Sequence, residues 1–162
     1  MTPGCRPATA EDADAIWSML KPVFRAGDTY AVARDISRTA ALGYWMGGTH
    51  RAFVAEAGGR RVGTYFLCPN RDGGGAHVCN CGFVTDPAAS GKGIARAMLD
   101  HALMTARAAG FRAMQFNFVI ASNSRAVALW RANGFAEVGR LPDAFLHPDL
   151  GYVDALVMHR RL

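Results

Sequence analysis

Residues 83–95, Phe83-Val84-Thr85-Asp86-Pro87-Ala88-Ala89-Ser90-Gly91-Lys92-Gly93-Ile94-Ala95, carry the clearest chemical signal in the chain. A strand-like run stops at Asp-Pro, a short loop follows, and a glycine-bearing turn opens a long helical run. Such a turn lets backbone N–H groups converge on an anion. The helix N-terminus adds roughly half a positive charge. Gly91 and Gly93 admit close approach, since a Cβ would collide with a phosphate oxygen. Small Ala95 keeps the first helical turn open, and Lys92 adds a full side-chain charge. The Walker pattern is excluded, because Lys92 is followed by Gly93 rather than Ser or Thr. The dinucleotide pattern is excluded, because Gly93 is followed by Ile94-Ala95-Arg96 with no third glycine. From spacing alone, a tight turn without a ligand is the competing reading.

Two asparagines follow as candidates. Strand alternation puts Asn80 on the face opposite Cys79 and Cys81, and Asn117 on the face opposite Phe116 and Phe118. If both face one gap, they could hold a water or a carboxylate. Alternatively, each satisfies a buried backbone group where ladder bonds are missing. His77 is of a residue type used as a general base, but it lies at a strand start beside Gly73-Gly74-Gly75 and reads as an exposed surface histidine. Cys5, Cys68, Cys79 and Cys81 lack the gap and the second pair that a zinc site needs, so no metal is expected.

The elements that must position these residues can be read in order. Residues 5–8 form a short opening strand. Thr9 caps a helix, with Asp12 in a capping-box-like arrangement. Ile16, Met19, Leu20, Val23 and Phe24 follow at helical spacing. Pro22 is expected to kink or end that helix, and Gly27-Asp28 breaks the pattern. Residues 36–45 form a shorter helix, closed by Gly47-Gly48. Strands at 52–56 and 62–68 make a hairpin across Gly58-Gly59. A third strand spans 77–85. A helix over 94–109 ends at Gly110, and a strand covers 113–120. Ser122 or Asn123 caps a helix through Ala132. Strands at 135–139 and 152–159 pair across an excursion from Leu141 to Gly151. A helix between the strands at 77–85 and 113–120 makes those two a parallel pair with a right-handed crossover. The fold class is therefore α/β: a mixed, mostly antiparallel sheet of about seven strands with helices on both faces.

Bulk properties narrow the classes. The 162 residues make a single domain over 1–162, long enough to bury roughly two-thirds of its unfolded surface. Half the residues are apolar and 19% are charged, which excludes a disordered chain. The net charge is +5, yet no Lys/Arg run exceeds two residues. A nucleic-acid partner is therefore not expected. No stretch of 18 apolar residues exists, so no membrane partner is expected either. Met1-Thr2-Pro3-Gly4 has neither the basic start nor the apolar core of a leader. Free thiols and a cytoplasmic protein are the expectation.

Ser90-Gly91-Lys92-Gly93-Ile94-Ala95 resembles the pyrophosphate-binding motif of the GNAT superfamily of N-acetyltransferases. Asn123-Ser124-Arg125-Ala126-Val127-Ala128-Leu129-Trp130-Arg131-Ala132-Asn133-Gly134-Phe135 resembles that family's second signature. Both sit at the expected separation, and the strand order matches, so the resemblance covers nearly the whole chain. It implies the GNAT fold, in which the parallel central strands splay apart, and acetyl-coenzyme A as co-substrate. Backbone groups of Phe83, Val84 and Thr85 would pair with the pantetheine arm. Ser90, Gly91, Lys92, Gly93, Ile94 and Ala95 would hold the pyrophosphate. Asn123 would bond the pantetheine or cap the helix beside it. An N–H near Val84 would donate to the developing oxyanion.

Departures from the family pattern matter. Ser90 stands where Arg or Gln is usual. Trp130 stands where the family's acidic Tyr is usual, and an indole N–H is no useful acid. Trp130 therefore reads as a packing aromatic. No Glu occupies 77–85. Asn80, Asn117, Gly27-Asp28-Thr29-Tyr30 and Trp45 are similar to the azetidine-2-carboxylate acetyltransferase branch. In that branch asparagines orient the substrate and polarise the thioester. The implied activity is transfer of an acetyl group to a small-molecule amine by direct attack in a ternary complex, with Asn80 and Asn117 as the catalytic candidates. The acceptor would be an amino acid or a cyclic analogue, with aminoglycoside, polyamine and protein N-terminus left open. The base would be bulk water or a water on Asn80. A non-catalytic acyl-coenzyme A-binding module is the alternative. The fold permits a homodimer, although no residue demonstrates one.

Overall fold

The computed structural model describes residues 3–162; Met1 and Thr2, on which the leader expectation partly rests, lie outside them. Seven strands form one sheet in the order β1-β2-β3-β4-β5-β7-β6. They are β1 (Gly4–Pro7), β2 (Arg51–Ala57), β3 (Arg60–Pro69), β4 (Val78–Thr85), β5 (Ala113–Ile120), β6 (Ala136–His147) and β7 (Gly151–Arg161). The helices are α1 (Ala13–Ala26), α2 (Arg38–Met46), α3 (Ile94–Ala108) and α4 (Ser124–Ala132). All neighbouring strands pair antiparallel except β4 and β5, which α3 joins as a parallel crossover. The expected mixed sheet is thus present. No helix among the described residues is long and apolar enough to cross a membrane.

Each face carries its own core. On one, Ile94, Met98, Leu99, Ala102 and Leu103 of α3 bury against Val62, Tyr65 and Leu67 of β3 and Cys79 and Cys81 of β4. These α3 positions recur at helical spacing, which is why this stripe turns inward. On the other face, Ile16, Met19, Leu20 and Phe24 of α1 and Ala41 and Trp45 of α2 bury against Val54, Phe66, Cys68 and Val84. Gly63 lets α3 sit close to β3, because a Cβ there would meet the Met98 sulfur at 2.8 Å and Ile94 at 3.0 Å. The Trp45 indole N–H donates to Thr64 Oγ1 at 2.9 Å, and that hydroxyl donates to Phe53 O at 2.8 Å. This buried pair fixes α2 on the sheet.

Several boundaries differ from the sequence expectation. Pro22 does not end α1, which continues to Ala26 and closes at Gly27 in the left-handed conformation. The proline is exposed, and the carbonyl it leaves unpaired, on exposed Ser18, reaches water. Thr9 caps a short 3-10 turn, Ala10–Asp12, rather than α1 itself. The α2 helix starts at Arg38, where Ser37 Oγ accepts from Ala40 N at 3.1 Å. Gly73–Gly75 forms a 3-10 turn inside the loop that joins antiparallel β3 and β4. The largest difference is β6, which runs through the expected excursion to His147. Register shifts between Leu141 and Phe145 carry the strand past Pro142 and Asp143. Asp154 holds that kink, accepting from Asp143 N at 3.1 Å and pairing with Arg140 at 2.9 Å. Pro142 is tolerated because β6 is an edge strand.

Asp12 ties the start of the chain to the sheet. Its buried carboxylate accepts from Arg6 at 2.8 and 2.9 Å, from Arg61 at 3.1 Å and from Thr9 N at 2.9 Å. Chiefly the Arg6 hydrogen bonds, opposed by burial, hold its pKa well below the usual carboxylate range. A depressed pKa contributes stability above the unfolded value and loses it as pH falls. Stability should therefore decline as pH drops below ~4, and Asp12→Ala should lower the thermal midpoint by roughly 5–10 °C at pH 7. Thermal melts of both proteins from pH 7 to pH 3 check this: the wild-type advantage should be constant down to about pH 4 and begin to shrink below it.

Candidate active site

The cleft is made by two strands that part. β4 and β5 pair only at Val78↔Ala113 and Cys79↔Met114. Beyond those pairs the strands separate, and a cleft of about 810 Å³ opens between residues 80–85 and 116–120. It runs from the loop between α1 and α2, past the parted strands, to the N-termini of α3 and α4.

The loop after β4 is built as the sequence predicts. Asp86 Oδ1 accepts from Ala88 N at 3.0 Å and starts a 3-10 turn, Pro87–Ala89. Gly91 and Gly93 then take φ of 79° and 75°, and Gly93 caps α3 with no side-chain bond. A Cβ at either glycine would meet nothing within 4 Å, so backbone conformation and outward space, not packing, set these glycines. Among the described residues, no carbonyl or side chain accepts from the N–H groups of residues 91–96. Donors left open at a helix start are a ready anion site. Ser90, Gly91, Gly93, Ile94 and Ala95 line the cleft; Lys92 is exposed and does not.

The backbone of β4 corrects one expectation. Asn70 N donates to Val78 O at 2.8 Å and Asp86 N to Val62 O at 2.9 Å. Alternation from these two bonds, with β3 and β4 in unbroken register, turns the N–H and C=O of Val84 toward Thr64. Val84 is therefore neither the oxyanion donor nor a backbone partner for an added chain; only its side chain borders the cleft. Phe83 and Thr85 present their backbone to the gap, and Phe83 O already accepts from Tyr30 Oη at 3.0 Å.

The two asparagines differ. Asn117 is committed on both sides of its amide: Nδ2 donates to Asn70 Oδ1 at 2.6 Å, and Oδ1 accepts from Gln115 Nε2 at 3.0 Å. The alternation expected around it breaks. β5 carries a register shift between Phe116 and Val119, so Val119 rather than Phe118 joins Phe116 in the core. Asn80 also lines the cleft, and among the described residues its side chain makes no hydrogen bond. Asn123 Oδ1 accepts from Ala126 N at 3.3 Å, so it caps α4 while bordering the cleft. Trp130 is packed, with Phe116 and Phe83 ring centroids at 4.7 and 5.3 Å.

Sequence reading missed two arginines. Arg96 and Arg125 both line the cleft at the starts of α3 and α4. Arg96 is tied to Asp100 at 3.0 Å. Arg125 has no ion-pair partner among the described residues. A signal for both was present, since each is a cation in the first turn of a helix lacking first-turn acids, against the dipole. Tyr30 and Tyr44 line the cleft beside the α1–α2 loop. Burial raises the pKa of both phenols. No group of three or more His, Cys, Asp or Glu among the described residues could hold a metal.

An open amide turn, a facing arginine and a cleft between parted strands define a protein shaped for a long ligand with phosphate at one end. The chain belongs to the acetyltransferase (GNAT) family, whose model matches residues 13–135. A solved GCN5-related N-acetyltransferase from Kribbella flavida superposes with a TM-score of 0.94 and 39% identity, covering 99% of this chain and 98% of that one. A GNAT superfamily phosphinothricin acetyltransferase from Sinorhizobium meliloti, solved with AcCoA, shares the fold at a TM-score of 0.86 and 24% identity, covering 100% and 89%. N-acetyltransferase aca1 of Schizosaccharomyces pombe is 36% identical over 97 residues, 59% of this chain. The matched stretch spans 46% of that relative, about half its length.

Two variants check the phosphate end. Gly93→Glu should weaken coenzyme A binding at least ~100-fold relative to Gly93→Ala, which shares the backbone strain but not the charge. Arg125→Ala should weaken it about 5–20-fold and flatten its salt dependence. Calorimetric titrations at low and high salt read both effects.

Proposed function

We propose that this protein transfers an acetyl group from acetyl-coenzyme A to a small-molecule amine by direct attack in a ternary complex. The observation that carries the reading is the row of unpartnered N–H groups at residues 91–96, in a turn that borders a cleft between parted strands. The residues present fit the cofactor. The amides of that turn and Arg125 suit its phosphates, and the free backbone edge of Phe83 and Thr85 suits an amide-bearing arm. Bound there, acetyl-coenzyme A supplies an activated acyl group as a thioester. Family membership and the AcCoA held by the Sinorhizobium meliloti protein support that identity.

The protein's own part is placement and polarity. The cleft holds amine and thioester together, which removes much of the entropic barrier. The N–H groups of Phe83 and Thr85 have no ladder partner on β5; in this reading one donates to the thioester oxygen and the other to the arm. Asn80, uncommitted, orients the amine or a water beside it. The nitrogen lone pair forms the C–N bond as the C–S bond breaks. The proton lost by nitrogen balances the one the thiolate takes up. A covalent acyl-cysteine route is disfavoured. Cys81 is the one thiol on the cleft among the described residues, and burial raises its pKa well above the ordinary value. The acceptor is an amino acid or cyclic analogue in this reading, supported by the branch resemblance at Asn80 and Asn117. A cytoplasmic site of action and a homodimer accompany it, as the resemblance implies.

One observation favours a second reading. No Asp, Glu, His or Lys among the described residues lines the cleft, so a non-catalytic acyl-coenzyme A-binding module fits as well. Thiol release with a pooled amine panel separates the two: binding without release for every amine supports the module.

Asn80→Ala should cut kcat about tenfold or more while coenzyme A affinity changes less than ~2-fold. Equal losses would make Asn80 structural. Because no cleft group titrates near neutrality, kcat/KM should rise with pH along the acceptor amine's own ionisation, without a second limb below pH 9. Two acceptors of different amine pKa should give curves displaced by that difference.

A further inference from the structure

We infer that the Tyr30 hydroxyl is a catalytic contact: it accepts a hydrogen bond from the N–H of the attacking amine and aims the nitrogen lone pair at the thioester carbon. The inference rests on the transferase reading and gives that reaction a second residue beside Asn80.

The hydroxyl reaches the seam from one side. Asn80, Gly82 and Val84 alternate onto the α1–α2 face of β4, since Val84 packs there and Gly82 lies under Phe66. A Cβ at Gly82 would stand 3.0 Å from Tyr30 Oη, so the oxygen sits over this residue in space that a side chain would take. From there it donates to Phe83 O at 3.0 Å. Asn80 is two residues away on the same face, and Tyr30, Asn80, Gly82 and Phe83 all border the cleft. An amine entering from the α1–α2 side therefore meets the phenol oxygen and the asparagine amide together.

Phe83 links that oxygen to the chemistry. Its N–H and C=O leave the strand on the same edge. Thr85 lies nearer the amide turn, so the arm meets Thr85 first and the acyl end lies by Phe83. The Phe83 N–H then serves the thioester oxygen, while the Phe83 carbonyl holds Tyr30. The phenol proton is committed to that carbonyl, and among the described residues no donor occupies the lone pairs of Tyr30 Oη. A hydroxyl that is already donating is the better acceptor. Attack builds positive charge on nitrogen, so the N–H···O bond strengthens most in the transition state.

Packing and burial hold the group in this role. The ring meets Phe24 edge-on at 5.5 Å and Trp45 at 5.9 Å. Burial raises the phenol's pKa, so the hydroxyl keeps its proton at neutral pH. The proton balance needs nothing from Tyr30. The C–N bond forms and the C–S bond breaks, nitrogen releases its proton to water, and water returns one to the thiolate.

The test measures thiol release with azetidine-2-carboxylate, or with the fastest amine of the pooled panel where that is another. Tyr30→Phe keeps the ring and should cut kcat about tenfold or more, while coenzyme A affinity and the amine's KM change less than ~3-fold. Loss of the bond to Phe83 O alone would do the same, so a second substitution separates the roles. Tyr30→3-fluorotyrosine, assayed at pH 7, donates more strongly to Phe83 O and accepts more weakly from the amine. It should lower kcat roughly 2–4-fold. A kcat that holds or rises would overturn the inference and leave Tyr30 a support for Phe83. Tyr30→Phe turning over within ~2-fold of the wild type would overturn it as well. Both results leave the transferase reading standing. No release by the wild type with any amine, while calorimetry shows coenzyme A bound, would remove that reading and this inference with it.

Discussion

The structure depends on two parallel strands that pair at two positions and then part. Had β4 and β5 stayed in register, their side chains and amides would have closed into a continuous sheet. Parting leaves Phe83 and Thr85 with unpaired backbone on one wall and Phe116 to Ile120 on the other. Unpaired backbone is costly when buried, so the gap must be satisfied by ligand, water or side chains. The protein supplies part of the answer itself. Tyr30 reaches in from the loop after α1 to donate to Phe83 O, and Asn117 links to Asn70 and Gln115 across the base of the split. Flanking pairs are antiparallel and long, with β3 against β4 over seven residue pairs. The split is thereby confined to one seam.

Electrostatics completes what the parting begins. Both helices at the far end of the cleft start badly by local rules. Neither α3 nor α4 has an acidic residue in its first turn, each has an arginine there, and α3 lacks a side-chain cap. For isolated helices each feature is unfavourable. An anion bound at the uncapped start of α3 would offset that penalty. The arginine and missing acid alone do not mark a site, since α2 also starts with Arg38 and no first-turn acid; α3 differs in having no side-chain cap, whereas α2 is capped by Ser37 and α4 by Asn123. That uncapped start, bordering the cleft, is the local misfit that argues for a ligand.

Much of this was legible in the sequence, for physical reasons. The glycine turn before α3 was visible because its requirements are local: two positive-φ glycines and a helix start. The sheet and its crossover were visible because apolar periodicity and glycine punctuation mark them. The hidden parts depend on long-range pairing. The β6 extension relies on Asp154, on another strand, to hold Asp143 and Arg140. The direction of Val84's amide depends on register with β3, not on its own neighbours. Asn80 and Asn117 looked equivalent by alternation, yet a register shift in β5 and a partner at Asn70 commit one and leave the other open. Arg125 lay inside a quoted motif and went unassigned because its significance is a position across the cleft.

The two cores meet the site from opposite sides, and this decides which residues can change without losing the fold. Phe83 leans on the α3 face with Tyr65, Phe116 and Trp130. Val84 leans on the α1–α2 face, and Gly82 between them is sealed by Phe66 and Tyr30. Three successive residues of β4 are thus fixed by both layers, which gives the cofactor wall a rigid backbone. Asn80, two residues earlier on the acceptor side, is half-buried and unbonded, and Ala31 and Tyr44 facing that region are exposed. Acceptor choice in this fold can therefore drift through the α1–α2 loop while the thioester side stays constant. A fixed cofactor wall beside a variable acceptor wall is what one scaffold serving many amines requires.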